Sequence, residues 1–338
     1  MTAQKPCLAH AIGCPAGVAP ELSARILADK EITSAARIIV IGDARVLARG
    51  AKVSGVTLDI ATIGVNDPLP HDDKPVLIDL KHLDPATIPV GQLAKPSGDF
   101  AMANFRKALA LANAGIVDAV TFSPFNKASM RLSHPAYEDE VVFMNEFLGF
   151  KGTASEFNIL PGLWNARVTS HVPISGVAAL IKKTTILRSL MLTHEAMSAA
   201  GFSPPRIAVA GLNPHAGDGG NFGREEIDEI APAVAAGKAA GIICEGPYPS
   251  DTVFVRATKG DFDGVLTMYH DQGQIAMKLI GFEQGVTVLG GYPFAVATAA
   301  HGSAYDIAGK GVAKVDAMRN AMMIATRMGA SRRAKAAT

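Results

Sequence analysis

Residues 207–234 read IAVAGLNPHAGDGGNFGREEIDEIAPAV, and this stretch decides the fold class. Its first four residues form a short apolar run, which is typical of a buried β-strand. A glycine-rich loop follows. Apolar residues then recur at the spacing of one helical face, at positions 227, 230, 231 and 234. The stretch therefore predicts a strand, a long loop and an amphipathic helix in succession.

The same alternation runs along the rest of the chain. Strand-like runs occupy 37–43, 76–79, 116–121, 207–210 and 265–268, and helical patterns occupy 21–29, 101–113, 184–200 and 225–240. Alternation of this kind predicts an α/β fold with a largely parallel sheet and crossover helices. In such sheets ligands bind beyond the carboxyl ends of the strands, so the loops that follow the strands are the places to look for a site.

Length and composition limit the class of protein. The chain has 338 residues, of which 49% are hydrophobic and 19% charged, and at about 150 residues per domain it should form two domains. Lys and Arg number 32 against 31 Asp and Glu, a balance that predicts neither nucleic-acid binding nor attachment to an acidic membrane. Three scattered cysteines, no signal-peptide pattern and no long apolar run predict a cytoplasmic protein outside the membrane.

Three histidines share an unusual placement. His171, His215 and His270 each follow an apolar, strand-like run by a few residues. Three imidazoles can hold a divalent ion such as Zn, Co, Mn or Mg and still leave coordination positions open for a substrate. Because no short motif such as HExxH joins them, spacing alone leaves a second interpretation open, in which they are separate hydrogen-bonded loop residues.

Two loops have the composition of ligand platforms. Residues 211–223 are dense in glycine and lead into Glu225 at the start of a helix, and residues 13–21 combine turn residues with a proline just before a helix. The chain contains neither GxGxxG nor a Walker A sequence. Any nucleotide must therefore be held without the Rossmann fingerprint.

Several stretches form a specific set in their order along the chain. They are residues 13–21, Asn126-Lys127, 169–173, 211–226, 246–252, and 269–273 with Lys278. With them, the chain resembles the 4-hydroxythreonine-4-phosphate dehydrogenase (PdxA) family of pyridoxine biosynthesis and its catabolic paralogues. A further stretch, HGSAYDIAGKG at residues 301–311, is similar to the adenosine-binding loop of isopropylmalate and isocitrate dehydrogenases.

The resemblance implies a fold, an assembly and two kinds of cofactor. The expected fold is a two-domain, three-layer αβα architecture like that of isocitrate and isopropylmalate dehydrogenases. Residues 1–130 plus 275–338 would form the cofactor-side domain, and residues 131–274 the metal, substrate and dimerisation domain. The resemblance implies a homodimer with sites between domains and at the subunit interface. His171, His215 and His270 would ligate one divalent metal per site, with one of the three coming from the other subunit. NAD or NADP would bind at His301, Gly302, Ser303, Ala304, Asp306, Ile307 and Gly309.

The resemblance also implies a reaction. A hydroxyl of a hydroxy acid would be oxidised to a ketone, with decarboxylation where a carboxylate lies β to that ketone. Asp251 and Asp271 would orient the ligands or contact the ion, and Lys278 would face the substrate. Taken as residues alone, Asp251 could equally cap a turn and Lys278 could be a solvated lysine.

The substrate pocket departs from the family pattern. Glu140-Val141 stand where biosynthetic members carry a His-Thr that contacts the phosphorylated substrate, and Thr287 and Val296 replace an Asn and an Arg. A phosphate beside Glu140 would lose charge-assisted hydrogen bonds and gain repulsion. We therefore expect an unphosphorylated, carboxylated cis-dihydrodiol of the terephthalate dihydrodiol type. The expected substrate contacts are Asn126, Lys127, Glu140, Lys278 and Thr287.

Other functions stay open at this stage. Within the enzymes they are oxidation of 4-phosphooxy-L-threonine, oxidation of a sugar acid, and acyl transfer to phosphate on a distantly similar fold. Outside the enzymes, the chain could be a ligand-binding descendant without catalysis.

Overall fold

The computed structural model describes residues 5–70 and 72–336, and the chain forms two compact units. Unit 1 comprises Met1–Thr153 and Tyr292–Thr338, and unit 2 comprises Ala154–Gly291. The domains expected from the sequence have other boundaries, because residues 131–153 belong to unit 1 and residues 275–291 to unit 2. Within the first domain, residues 1–4, 71, 337 and 338 lie outside the described residues.

The boundaries of the units follow from local pairing. The hydroxyl of Tyr292 donates to the carbonyl of Val141 at 3.2 Å and to Asn145 Oδ1 at 2.9 Å, which ties residues 141–145 to unit 1. Residues 286–290 pair antiparallel with residues 155–159, which ties them to unit 2.

Unit 1 is built on a parallel sheet. Its strands are β1 Cys7–Ala11, β2 Arg37–Gly42, β3 Ala61–Ile63, β4 Val76–Asp79, β5 Ala119–Phe122 and β12 Ala295–Ala299. Their spatial order is β3-β4-β2-β1-β5-β12, and all of these pairs are parallel. The central strands are buried and rich in Ile, Val and Ala, as parallel strands covered on both faces require.

The helices of unit 1 connect these strands. They are α1 Ala19–Ala28, α2 Lys30–Ala35, α3 Ala44–Ser54, α4 Lys95–Asn113, α5 Lys127–Ser133, α6 Glu140–Leu148 and α12 Asp316–Ala336. Several begin at an acidic or amide side chain that caps the first turn, such as Asp43 for α3 and Asn126 for α5.

Unit 2 is built on a mixed sheet. Its strands are β6 Ser155–Leu160, β7 Leu163–Arg167, β8 Ile207–Ala210, β9 Cys244–Tyr248, β10 Gly264–Thr267 and β11 Val286–Gly290. Their order is β11-β6-β7-β10-β8-β9; β11/β6 and β6/β7 are antiparallel, and the other pairs are parallel.

The helices of unit 2 are α7 Ile174–Leu180, α8 Lys183–Ala199, α9 Ala231–Ala239, α10 Ser250–Thr258 and α11 His270–Gly281. A π-helical turn, Glu226–Ile230, leads directly into α9. One buried cluster includes Leu160, Leu163, Val253, Phe254 and Val265, so it packs α10 against the sheet.

The α/β class and the predominance of parallel strands confirm the expected fold class. Within the described residues, no helix is both long and apolar enough to cross a lipid bilayer.

Candidate active site

The three histidines predicted as ligands follow three adjacent parallel strands of unit 2. His171 lies four residues beyond β7, His270 three beyond β10 and His215 five beyond β8, and β10 is the middle strand of the three. Parallel neighbours end at the same edge of a sheet, so the fold places all three loops at one edge. Asp251 follows β9, the next strand, and is exposed at the start of α10.

His171 and His270 lie side by side. Their ring centroids are 5.8 Å apart with an angle of 38° between the ring planes. The connection behind them is rigid, because Thr169 donates both its backbone N–H, at 3.1 Å, and its hydroxyl, at 2.8 Å, to the carbonyl of Met268. His171 lies two residues after Thr169, and His270 lies two residues after Met268.

His270 is oriented by its neighbour. Its Nδ1 lies 2.6 Å from Oδ1 of Asp271, and a carboxylate at this nitrogen keeps the proton there. The Nε2 lone pair is then available to a metal ion. This carboxylate–histidine arrangement is the usual support for a metal-ligating imidazole.

His215 occupies an unusual backbone. Residues 215–219 are all left-handed, with φ between 44° and 81°, and three of the five are not glycine. His171 is left-handed as well, with φ 49°. Such a conformation costs about 1–2 kcal/mol for each non-glycine residue, and it persists only where surrounding contacts impose it. Strained residues of this kind cluster at functional sites.

The buried carboxylate of Glu226 holds the residues that lead into this turn. Its Oε1 accepts the N–H groups of Leu212 and Asn213 at 2.7 and 2.8 Å, and its Oε2 accepts Nδ2 of Asn213 at 2.9 Å. Glu226 is 3% exposed and opens the π-helical turn. The carboxylate therefore fixes the two residues that precede Pro214-His215.

The donor set fits a divalent ion only in part within one chain. In tetrahedral geometry, with about 2.1 Å from metal to nitrogen, two imidazole centroids would lie about 5 Å apart, close to the spacing of His171 and His270. Across residues 5–70 and 72–336, however, no group of three His, Cys, Asp or Glu side chains is arranged to hold a metal. One chain thus supplies a pair of adjacent imidazoles, and the ion shared by three histidines stays a prediction.

Lys278 lies on the helix that His270 begins. It is exposed, eight residues along α11. Its ammonium can reach a ligand at the surface of unit 2, but no hydrogen bond or ion pair among the described residues gives it a role.

The predicted cofactor loop lies in unit 1, where it is joined to the loop after β1. The carbonyl of Ser303 accepts the N–H of Val18 at 3.0 Å, and the N–H of Gly309 donates to Oε1 of Glu21 at 3.0 Å. Ala304 has φ 42°. Asp306 and Ile307 belong to the turn between these anchors, and His301 and Gly302 precede it.

The residues beside this loop leave a small cleft. It has a volume of about 30 Å³ and is bordered by Gly17, Glu21, Arg49, Val90 and Gly309, among others. Glu21 is 2% exposed, and its Oε2 has no hydrogen-bond partner among the described residues. A buried carboxylate oxygen without a donor is costly, and a ligand hydroxyl or amino group would relieve that cost.

Asn126 is already engaged in unit 1. Its Oδ1 accepts the N–H of Ser129 at 2.8 Å as the cap of α5, and its Nδ2 donates to Oγ of Ser303 at 3.1 Å. In this conformation its amide holds the cofactor loop against α5. The expected substrate contact of Asn126 remains a prediction.

Lys127 and Glu140 form an ion pair in unit 1. Nζ of Lys127 lies 3.3 Å from Oε2 of Glu140, and the carboxylate side chain is only 16% exposed. Tyr137 lies behind them, buried, and burial together with the charge of Glu140 raises the pKa of its phenol. The lysine charge is therefore already balanced by the carboxylate.

The two other departures from the family pattern occupy strands. Val296 is fully buried on β12, opposite Val120, whereas Thr287 is half-buried on β11, opposite Asn158. Asn158 belongs to a buried network in which Arg167 donates to Asn158, Glu156 and Ser170 at 2.6, 3.0 and 3.1 Å. Ser170 is the residue before His171.

Sequence reasoning missed the groups that support these ligands. Glu226, Gln272 and the Arg167 network were not singled out, although Glu226 and Gln272 lie inside the stretches that carry the family resemblance. The signal that could have found them is a carboxylate or amide in a motif whose loop leaves backbone N–H and C=O groups to satisfy.

Comparison with known proteins settles the family. The family described as "Pyridoxal phosphate biosynthetic protein PdxA" matches residues 34–325. The chain belongs to the PdxA family. The "Putative 4-hydroxythreonine-4-phosphate dehydrogenase 2" of Rhizobium meliloti (strain 1021) is 53% identical over 336 residues, 99% of this chain and 96% of that one.

Two solved structures of the PdxA fold bear on the site. The 4-hydroxythreonine-4-phosphate dehydrogenase of Klebsiella pneumoniae is 32% identical with a TM-score of 0.79, covering 96% of this chain and 100% of that one. A terephthalate 1,2-cis-dihydrodiol dehydrogenase of Burkholderia xenovorans LB400 is 27% identical with a TM-score of 0.69, covering 95% and 98%. All three names are those of dehydrogenases, which supports an oxidoreductase that acts on a CH–OH group.

Proposed function

We propose that this PdxA-family protein is a metal-dependent NAD(P) dehydrogenase that oxidises a hydroxyl of a hydroxy acid. The observation that carries the proposal is the placement of His171, His270 and His215 after three adjacent parallel strands, with the first two imidazoles 5.8 Å apart. His171, His215 and His270 would hold one divalent ion, and residues 301–309 would hold NAD or NADP. When bound, these groups would acidify the substrate hydroxyl and accept the hydride.

The chain's own residues would orient the reactants. Asp271 would hold the proton on Nδ1 of His270, which leaves the lone pair of Nε2 for the ion. Lys278 would neutralise a substrate anion or supply a proton. Where the substrate carries a carboxylate β to the new ketone, the carbon–carbon bond breaks, carbon dioxide leaves, and a proton replaces it.

The proposed assembly is a homodimer with a site that one chain cannot complete. An exposed apolar side chain follows each of the three histidines within a few residues. These side chains are Ile174, Phe222 and Ile275, which are 71%, 52% and 61% exposed. Leu279 on α11 is 83% exposed. A second copy of the chain would cover these side chains and bring the missing imidazole to the pair.

We propose a substrate without phosphate, of the carboxylated cis-dihydrodiol type. The support is the ion pair between Lys127 and Glu140, because a carboxylate at this place can accept hydrogen bonds from the hydroxyls of a diol but only repels a dianionic phosphate. The name of the terephthalate dihydrodiol relative supports the same chemistry. The three cysteines are unpaired and buried, which supports the proposed cytoplasmic location.

A phosphorylated hydroxy acid is the second candidate. Its support is the name of the relative that is 53% identical, a 4-hydroxythreonine-4-phosphate dehydrogenase. The metal and cofactor assignments are the same for both candidates.

One set of assays separates these possibilities. The protein, loaded in turn with zinc, cobalt, manganese or magnesium ions, is mixed with NAD⁺ or NADP⁺ and with either terephthalate cis-dihydrodiol or 4-phosphooxy-L-threonine, and reduced cofactor and carbon dioxide are measured. We expect metal-dependent reduction with the dihydrodiol. Faster turnover of the phosphorylated amino acid would refute the substrate proposal, and activity that survives removal of all metal would refute the metal proposal.

A further inference from the structure

The amide of Gln272 joins three of the loops that carry the site. Its Oε1 accepts the N–H of Met268 at 2.6 Å, two residues before His270. Its Nε2 donates to the carbonyl of Gly211 at 2.8 Å, four residues before His215, and to Oγ of Ser250 at 2.8 Å, next to Asp251. One side chain is therefore bonded to the ends of β10 and β8 and to the start of α10.

The contacts around Gly211 make this link stiff. Oγ of Ser250 also donates to the carbonyl of Gly211, at 2.8 Å, so that this carbonyl accepts two hydrogen bonds. The N–H of Gly211 donates to the carbonyl of Tyr248 at 2.8 Å, and the N–H groups of the next two residues donate to Glu226. Gly211 is buried, so water does not replace a hydrogen bond that is lost there.

We propose that Gln272 is a positioning residue that sets the distance between the His270 loop and the His215 loop. His171 is already joined to His270 through Thr169, so Gln272 fixes, relative to this pair, the loop with which the chain would present His215 to the pair of a second copy. The inference rests on the proposed function in one respect, namely that these histidines are metal ligands. The bonds themselves belong to unit 2 and are independent of any bound ion.

Only an amide of this length satisfies all three partners. Gln272 must accept from a backbone N–H with one atom and donate to a carbonyl and a hydroxyl with the other. A glutamate keeps the acceptor but presents an oxygen to the carbonyl of Gly211, and a methionine of similar size offers neither group. We therefore expect the loops to be most stable in wild type, less stable in Q272E and least stable in Q272M.

The test combines hydrogen–deuterium exchange with metal titration. Exchange is measured on the full-length protein without metal for wild type, Q272E, Q272M, S250A and the double variant Q272M/S250A, with T252V as a surface control on α10. We expect the amides of residues 211–216 to exchange about tenfold faster in Q272M than in wild type. The increase should be smaller in S250A, and in the double variant it should be less than the sum of the two single effects on the free energy of opening. The strands β7 and β10 and the T252V protein should keep wild-type exchange.

Titration with Co²⁺ supplies the second readout. We expect wild type to bind it with a visible ligand-field spectrum, and Q272M to bind it about tenfold or more weakly with altered bands. Unchanged exchange of residues 211–216 in Q272M would overturn the positioning role. So would faster exchange with unchanged Co²⁺ affinity and spectrum. A wild-type protein that binds no Co²⁺ refutes the metal part of the proposed function instead, and the exchange data then decide by themselves whether Gln272 holds the loops.

Discussion

The carboxylate of Glu226 accepts two hydrogen bonds from Asn213, one from the backbone N–H of Asn213 at 2.8 Å and one from its side-chain amide at 2.9 Å. Two residues later begins the left-handed turn that carries His215. The carboxylate that holds the residues before this turn comes from the following helical segment. The ligand loop and its support are thus joined across the glycine-rich stretch.

The first prediction concerns this carboxylate. Glu226→Gln keeps the shape but removes the charge and replaces one acceptor by an amide NH2, so that one buried hydrogen bond is lost, at a cost of about 1–3 kcal/mol. We expect a loss of about 2 kcal/mol in the free energy of unfolding, measured by urea titration, and weaker metal binding. Asp228→Asn is the control, because its exposed pair with Arg224 is worth only about 0–1 kcal/mol. Equal stability of the two variants would contradict the role of Glu226.

The second prediction concerns pH. His10 is fully buried on β1, with Nδ1 3.0 Å from Oγ1 of Thr121 and Nε2 3.0 Å from Oγ of Ser23, and burial lowers its pKa from 6.5 to about 4. Below about pH 6.5 the unfolded chain takes up a proton that the folded protein refuses until about pH 4. The free energy of unfolding should therefore fall across this window, by about 2 kcal/mol on going from pH 7 to 5.

The histidine can be isolated from other titrating groups by difference. The unfolding free energies of wild type and His10→Gln are measured at pH 7 and at pH 5. The variant should be less stable than wild type at pH 7. Its unfolding free energy, however, should fall by about 2 kcal/mol less than that of wild type on going from pH 7 to pH 5. Parallel curves for the two proteins would show that His10 is not the group responsible.

Much of the fold was readable from the sequence, because buried parallel strands are short apolar runs. The predicted strands at 76–79 and 207–210 coincide with β4 and β8, and the helix predicted at 184–200 is α8 displaced by one residue. The helix predicted from 101 begins at Lys95 instead. Pro96 and Gly98 look like breakers, yet proline is tolerated in the first helical turn, and Gly98 lies where a Cβ would collide with the backbone of Ser129.

Of the candidate site, only the proposed metal ligands could be predicted from the sequence. His171, His215 and His270 stood out because each follows an apolar run. Their supports did not, because Glu226 and Gln272 act through backbone groups of residues distant in sequence. Nothing in the sequence around His10 marks its role, and only the fold shows that its two nitrogens meet Thr121 and Ser23 inside the core.

The third prediction concerns assembly. Leu279→Asp places a charge on the most exposed apolar residue of α11, which begins with His270. We expect the variant to be monomeric by sedimentation and to lose most of its bound metal, since one chain gathers no trio of ligands among the described residues. Ile116→Asp is the matched control, at a 46% exposed position of unit 1. A monomeric variant that retains full metal content would show that one chain suffices.

The fourth prediction concerns substrate choice. Glu140→Gln removes the carboxylate 3.3 Å from Nζ of Lys127 and leaves the lysine charge unbalanced at the same position. A recovered charge-assisted contact is worth about 1.5–3 kcal/mol, so KM for 4-phosphooxy-L-threonine should fall about tenfold or more. For the carboxylated dihydrodiol the change also removes an acceptor of hydroxyl hydrogen bonds, and we expect this loss to outweigh the gain at its carboxylates, so its KM should rise. Lys127→Met is the companion variant, and it should weaken the binding of anionic substrates of both kinds. If Glu140→Gln shifts both KM values in the same direction, Glu140 does not discriminate between the substrates, and the ion pair serves only to fix α6 against α5.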